Sequence, residues 1–167
     1  MITSAGLLLY RFAGGPDGAG GLEVLLAHMG GPFWRTRDEH AWSIPKGEYT
    51  SALDGAAGED PLAAAEREFA EELGSPAPSG PTVPLGSVRQ SGKTVTMFAR
   101  PGDFDATSIV SNTFTLEWPP RSGRVAEFPE VDRAEWFDPD TARAKLVKAQ
   151  AAFLDRLVEA VGGQGPA

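Results

Sequence analysis

The chain contains no cysteine and only two histidines, His28 and His40. Disulfides and thiolate metal sites are therefore excluded, and a histidine-rich zinc centre lacks ligands. Any metal must be held mainly by oxygen, which selects hard cations such as magnesium, manganese or calcium. Basic charge is also scarce: 15 lysines and arginines stand against 23 acidic residues, a formal net charge of −8. That balance gives no basic footprint for duplex nucleic acid. No apolar run approaches the roughly 20 residues that span a bilayer. The opening MITSAGLLLYRF has no basic region ahead of its apolar stretch and reads as a first strand. The expectation is a cytoplasmic protein with no membrane attachment.

What is present fits one domain of ordinary size, with 41% hydrophobic and 23% charged residues and no internal repeat. Residues 1–161 are expected to form that domain and GGQGPA (162–167) a disordered tail. A monomer and a homodimer are equally compatible with this composition.

SAGLLLYRF (4–12) and LEVLLAHM (22–29) read as neighbouring strands joined by the glycine-rich AGGPDGAGG (13–21). AWSIP (41–45) reads as a short strand end, and the stretch from Lys46 to Asp60 as loop. Residues 85–101 predict two strands around a Ser91–Gly92 turn, and 111–118 and 133–139 predict one strand each. PPRSGRVAEFPEVD (119–132) reads as a long polar loop. From Asp140 onward, apolar residues at Ala142, Leu146, Ala149, Phe153, Leu157 and Val161 predict one amphipathic helix.

The informative segment lies between. Asp60–Pro61 supplies an N-cap and a first-turn proline, and Gly74 followed by Pro76 supplies the stop, so a helix is expected over 61–73. Leu62, Ala65, Phe69 and Leu73 form its apolar stripe, and the carboxylates are expected off that stripe. Glu68, Glu71 and Glu72 stand at i, i+3 and i+4 and share one face. Like charges at that spacing cost about 0.2–0.5 kcal/mol per pair. Such a face is either solvated or holds a cation.

Read in register, Glu59, seven residues, Arg67-Glu68, Phe69, one residue, Glu71-Glu72, one residue and Gly74 resemble the Nudix box, G-x5-E-x7-R-E-U-x-E-E-x-G-U with U a bulky apolar residue. Two positions depart from it. Leu53 stands where the first glycine belongs, so Gly47 of Pro45-Lys46-Gly47 is the counterpart, with six residues inserted before Glu59. The final apolar position is Ser75.

The resemblance implies an α/β (α+β) fold, an α/β/α sandwich with a mixed β-sheet between helices. It also implies a magnesium- or manganese-dependent hydrolase of a pyrophosphate bond in a nucleoside diphosphate linked to another group. Metal would be held by Glu68, Glu71, Glu72 and the backbone carbonyl of Lys46. Arg67 would hold carboxylates in place, Glu59 above all, by a bidentate pair. The general base is a glutamate of the box in some relatives and a distant loop carboxylate in others. Glu71 serves the first reading, while Glu117, Glu127 and Glu130, flanking the 119–132 loop, serve the second, with Glu127 and Glu130 preferred.

The nucleotide polyphosphate would be met by Lys46, Gly47, Arg35 and loop aromatics, with Trp34 foremost and Phe33 and Trp118 beside it. A dinucleoside polyphosphate is expected ahead of an oxidised nucleoside triphosphate. A nucleotide-sensing module without turnover is the competing class, and the complete set Arg67, Glu68, Glu71 and Glu72 argues against it.

Overall fold

The computed structural model describes residues 2–13, 21–51 and 58–161. The segments 14–20, 52–57 and 162–167 fall outside them. These include most of the glycine-rich connection, most of the inserted stretch and the expected tail.

A mixed sheet forms the centre. β1 (Thr3–Phe12) pairs parallel with β6 (Lys93–Pro101) along nearly its whole length. On its other edge, β1 meets β2 (Leu22–Met29) antiparallel only at Tyr10–Phe12. Its first half is taken instead by β4 (Lys46–Tyr49). β2 in turn pairs with the two-residue β3 (Trp42–Ser43) and, on its outer edge, with β9 (Val131–Phe137). β5 (Val83–Gln90) closes the opposite side against β6 through the Ser91–Gly92 turn, where both residues have positive φ (51° and 77°), as a two-residue type I′ hairpin requires. β1 and β2 therefore splay apart, and β3 and β4 fill the fork.

Alternation along β1 and β2 feeds two cores. Leu7, Leu9, Leu25 and Ala27 face α1 (Pro61–Leu73), packing against Ala64, Ala65, Phe69 and Leu73. Leu8, Tyr10, Val24 and Leu26 face the opposite layer, packing against Ala142, Leu146, Phe153 and Leu157. The result is the expected α/β/α sandwich.

Three segments differ from the sequence reading. Lys46–Tyr49 is strand β4 rather than loop, because β1 offers it a full antiparallel edge from Gly6 to Thr3. KGEY carries no apolar alternation of its own, so only this partner defines it. The 119–132 stretch contains β8 (Val125–Pro129), which pairs with β7 (Thr113–Glu117) as a separate hairpin. Finally, the C-terminal helix is two helices, α2 (Pro139–Lys145) and α3 (Ala151–Val161), with a 3-10 turn at Lys148–Gln150 between them.

The break has a tertiary cause. Leu146 turns extended (φ −65°, ψ 145°). Val147 N–H donates to the Trp42 carbonyl at 2.9 Å, and the His40 ring nitrogen bonds the Leu146 carbonyl at 2.8 Å. Buried Gln150 accepts from Ile44 N–H at 2.9 Å and donates to Ser43 Oγ at 3.0 Å. Hydrogen bonds to β3 and its flank thus replace those of helix continuation. No helix among the described residues is long and apolar enough to cross a membrane.

Candidate active site

α1 starts and stops where its caps dictate. The Asp60 side chain accepts from Leu62 and Ala63 N–H, and Gly74 (φ 84°) closes the other end with its N–H on the Ala70 carbonyl. The carboxylates are then fixed by helix geometry, with one departure from expectation. Glu68 is not off the buried stripe but on its border, only 9% exposed, because it stands three and four residues after Ala65 and Ala64. It fits there because its neighbour on β4 is Gly47. A Cβ at position 47 would lie 2.0 Å from the Glu68 carboxyl carbon.

Arg67 connects most of the acidic groups. It donates from Nε and Nη2 to the two Glu59 oxygens, from Nη1 to Glu68 Oε1 at 2.8 Å, and from Nη1 to Glu71 Oε1 at 3.2 Å. Glu59 above all raises the arginine pKa, and the Arg67 hydrogen bonds hold the Glu59 carboxyl below its ordinary value. The start of the inserted stretch is tied to its end, since Glu59 N–H donates to the Thr50 carbonyl at 2.7 Å and Ser51 and Glu59 form an isolated bridge.

Glu72 is placed differently. Burial pushes its carboxyl up to about 8, against the pull of the Lys46 ammonium. The charges of Glu68 and Glu130 reinforce burial, whereas a hydrogen bond from the Lys46 backbone opposes it. Burial also raises Glu68, with Arg67 opposing. Lys46 is lowered by burial and, less, by Lys93, with Glu72 foremost among the groups opposing. Several carboxylates therefore crowd around one desolvated ammonium. A further positive charge would relieve that crowding, and a face of carboxylate oxygens fits a hard divalent cation. Among the described residues no three acidic or histidine side chains already form a closed cage. Arg67 holds Glu68 and Glu71.

Glu130 and Glu127 fall on different sides. Glu130 follows β8, where its N–H donates to Asn112 and its carbonyl accepts from Gly30 N–H, and its charge acts on Glu72. Glu127 pairs with Thr115, while Phe114 and Leu116 occupy the alternate face of the hairpin. Glu117 binds the Arg121 N–H. Asn112 N–H also donates to the Glu71 carbonyl at 2.9 Å, fastening the hairpin to α1.

Beside Glu130 opens a cleft of about 230 Å³, walled by Gly30, Gly31, Phe33, Trp34, Phe114 and Leu116. Gly31 (φ 93°) lets Phe114 approach, since a Cβ there would lie 2.8 Å from its ring. Trp34 is half-buried and packs against the core on the α2–α3 face. Phe33 is 58% exposed and stands edge-on to Trp118, ring centroids 5.3 Å apart. Arg35 is exposed one residue beyond Trp34. The hairpin residues Phe114 and Leu116 went unnoticed in the sequence reading, although their alternation in TFTLE was the available signal.

A family model for the NUDIX domain matches residues 4–157. The chain belongs to the Nudix family, and its class is that of a pyrophosphohydrolase. No curated protein matches it significantly. Among solved structures, a Caenorhabditis elegans Ap4A hydrolase binary complex is 21% identical, with a TM-score of 0.59 over 98% of this chain and 99% of that one. The NUDIX domain of Shewanella oneidensis NrtR, complexed with ADP ribose, is 14% identical, with a TM-score of 0.62 over 96% and 88%. The MutT protein from Methanosarcina mazei Go1 is 17% identical, with a TM-score of 0.53 over 95% and 94%. These likenesses concern the fold.

Proposed function

We propose that this protein hydrolyses a pyrophosphate linkage in a nucleotide polyphosphate, with a dinucleoside polyphosphate ahead of an oxidised nucleoside triphosphate. The observation that carries the reading is a juxtaposition. Glu130 lines the aromatic cleft and also acts on Glu72 of the acidic helix face. A planar ring in the cleft would therefore leave its phosphates beside the carboxylates. The fold-level likeness to a C. elegans Ap4A hydrolase accords with this choice of substrate.

In this reading Glu68, Glu71, Glu72 and the Lys46 carbonyl would hold magnesium or manganese. When bound, the ion neutralises phosphate charge and supplies a water of lowered pKa. The residues do the rest. Arg67 holds Glu59 and steadies Glu68 and Glu71. The Lys46 ammonium, turned toward Glu72, meets a phosphate oxygen as a point charge. Gly47 leaves room for the Glu68 carboxyl beside the phosphate-binding face, and Arg35 contributes charge at the rim. Glu130 takes the proton from the attacking water, with Glu71 and then Glu127 as the alternatives. Phe33 and Trp34 flank the ring.

The test is a magnesium-containing panel of dinucleoside polyphosphates, oxidised nucleoside triphosphates and ADP ribose, with products separated by chromatography. Cleavage of a dinucleoside polyphosphate with the highest kcat/KM is expected. Tight binding without turnover of any member would replace this reading with the sensing module.

A further inference from the structure

His28, near the end of β2, is completely buried, immediately before the register shift between β2 and β9. Its Nδ1 lies 2.7 Å from Asp132 Oδ1, and its Nε2 lies 2.6 Å from the Arg37 carbonyl oxygen. A carbonyl oxygen only accepts, and so does an ionised carboxylate. A neutral imidazole has one N–H and would leave a bare lone pair facing the other oxygen. Both contacts are satisfied together when both ring nitrogens carry protons.

Each contact reaches a segment that adjoins the cleft. Arg37 closes the turn that carries Phe33 and Trp34, its N–H donating to the Trp34 carbonyl at 2.9 Å. Asp132 stands on β9, two residues after the cleft-lining Glu130. Trp42 packs edge-on against the ring, with centroids 5.0 Å apart. The charged groups around this ring are Asp132 and Arg133 on β9, Arg37 and Asp38 in the turn, and Lys145 on α2, which pairs with Asp38.

We propose that His28 is a positioning residue, held as an imidazolium, that fastens the aromatic turn to β9 just after Glu130 and so sets the cleft for the planar ring of the substrate. The proposal rests on the reading of that cleft given above. Loss of either proton breaks one of the two ties.

Two measurements test it. Nitrogen and carbon NMR of the His28 ring in the full chain, without nucleotide or metal at about pH 7.5, reads the protonation state directly. Two protonated nitrogens are expected, one donating to Asp132 and one to the Arg37 carbonyl. A neutral tautomer in the wild type overturns the proposal, and this arm does not depend on turnover. Calorimetry then compares a non-hydrolysable dinucleoside polyphosphate with inorganic pyrophosphate, which has no ring. Asp132→Asn should weaken the nucleotide about fivefold or more and leave pyrophosphate unchanged. Equal loss for both ligands, or none for either, would show His28 to be structural only. Should Asp132→Asn fail to fold, the wild-type spectrum decides the matter.

Discussion

Arg67 grips Glu59 at two points, Nε to Oε2 at 2.9 Å and Nη2 to Oε1 at 2.7 Å. The fork is spent on Glu59, and only the remaining Nη1 hydrogens reach Glu68 and Glu71. A lysine has no planar fork and cannot serve both groups at once. Arg67→Lys should therefore keep the helix and the charge yet lower kcat by about tenfold to a hundredfold through misplaced carboxylates. Steady-state kinetics beside circular dichroism checks this, and wild-type kcat in the variant would assign Arg67 to the surface.

Glu72→Gln keeps the shape of the side chain and removes its charge. It should lower kcat at least about a hundredfold, since a lost ligand charge would weaken the hold on a cation whose transition-state stabilisation is worth several kcal/mol. The fold should hold, because one like-charge neighbour of Glu68 disappears. Unchanged turnover by a folded variant would make Glu72 a bystander.

Without metal, Glu72 also makes stability depend on pH. Its folded-state carboxyl, pushed up to about 8 from an ordinary 4.5, binds a proton more tightly than the unfolded chain does. The stabilisation is complete below the ordinary value and is lost as pH rises toward the folded one. Glu68 acts in the same direction. The depressed carboxyls of Glu59, Asp103 and Asp138 act oppositely, but only in more acid solution. Lys46, being lowered, contributes in the alkaline range with the opposite sign. Melting of EDTA-treated protein should give a falling Tm between about pH 5.5 and about pH 8, with a shallower fall in Glu72→Gln. Parallel slopes in the two proteins would remove Glu72 as the cause.

Turnover should vanish in EDTA and return with magnesium or manganese. The same ions should raise Tm more at about pH 8 than at about pH 5.5, because protons compete for the carboxylates. Full activity after exhaustive chelation is the adverse outcome.

Phe33 and Trp34 should separate binding from packing. Phe33→Ala removes an exposed ring whose contact is Trp118. It should raise KM with Tm and kcat nearly unchanged. Trp34→Ala should raise KM about tenfold, as expected from stacking worth roughly 1–3 kcal/mol per base. It should also lower Tm, because Trp34 packs against the core. A lower Tm with unaltered KM would mean that Trp34 only supports its loop.

The two capping signals and the glutamate spacing made α1 readable to the residue, since both are local chemistry. The long strands β1 and β2 were equally plain from their continuous apolar runs. What escaped depended on partners distant in sequence. KGEY becomes a strand only beside Gly6, and Leu146 leaves its helix only because Trp42 is there. The site divides in the same way. The Arg67–Glu59 register lies within one segment, whereas Glu130 beside Glu72 follows from where the β7–β8 hairpin docks. Periodicity along the chain cannot give that position.

Gly47 has a mechanical consequence. Because the Glu68 carboxyl comes within 2.0 Å of where a side chain would begin, β4 serves as a depth stop for α1. Glu68 rests against bare backbone, and that backbone is locked to β1 by the pairs Thr3–Tyr49 through Gly6–Lys46. A sideways slip of β4 by one residue would set Glu48 against the carboxylate and drive the helix outward. The acidic face is thus levelled by the sheet beneath it, so a strand with almost no apolar character sets the height at which the helix presents its charge.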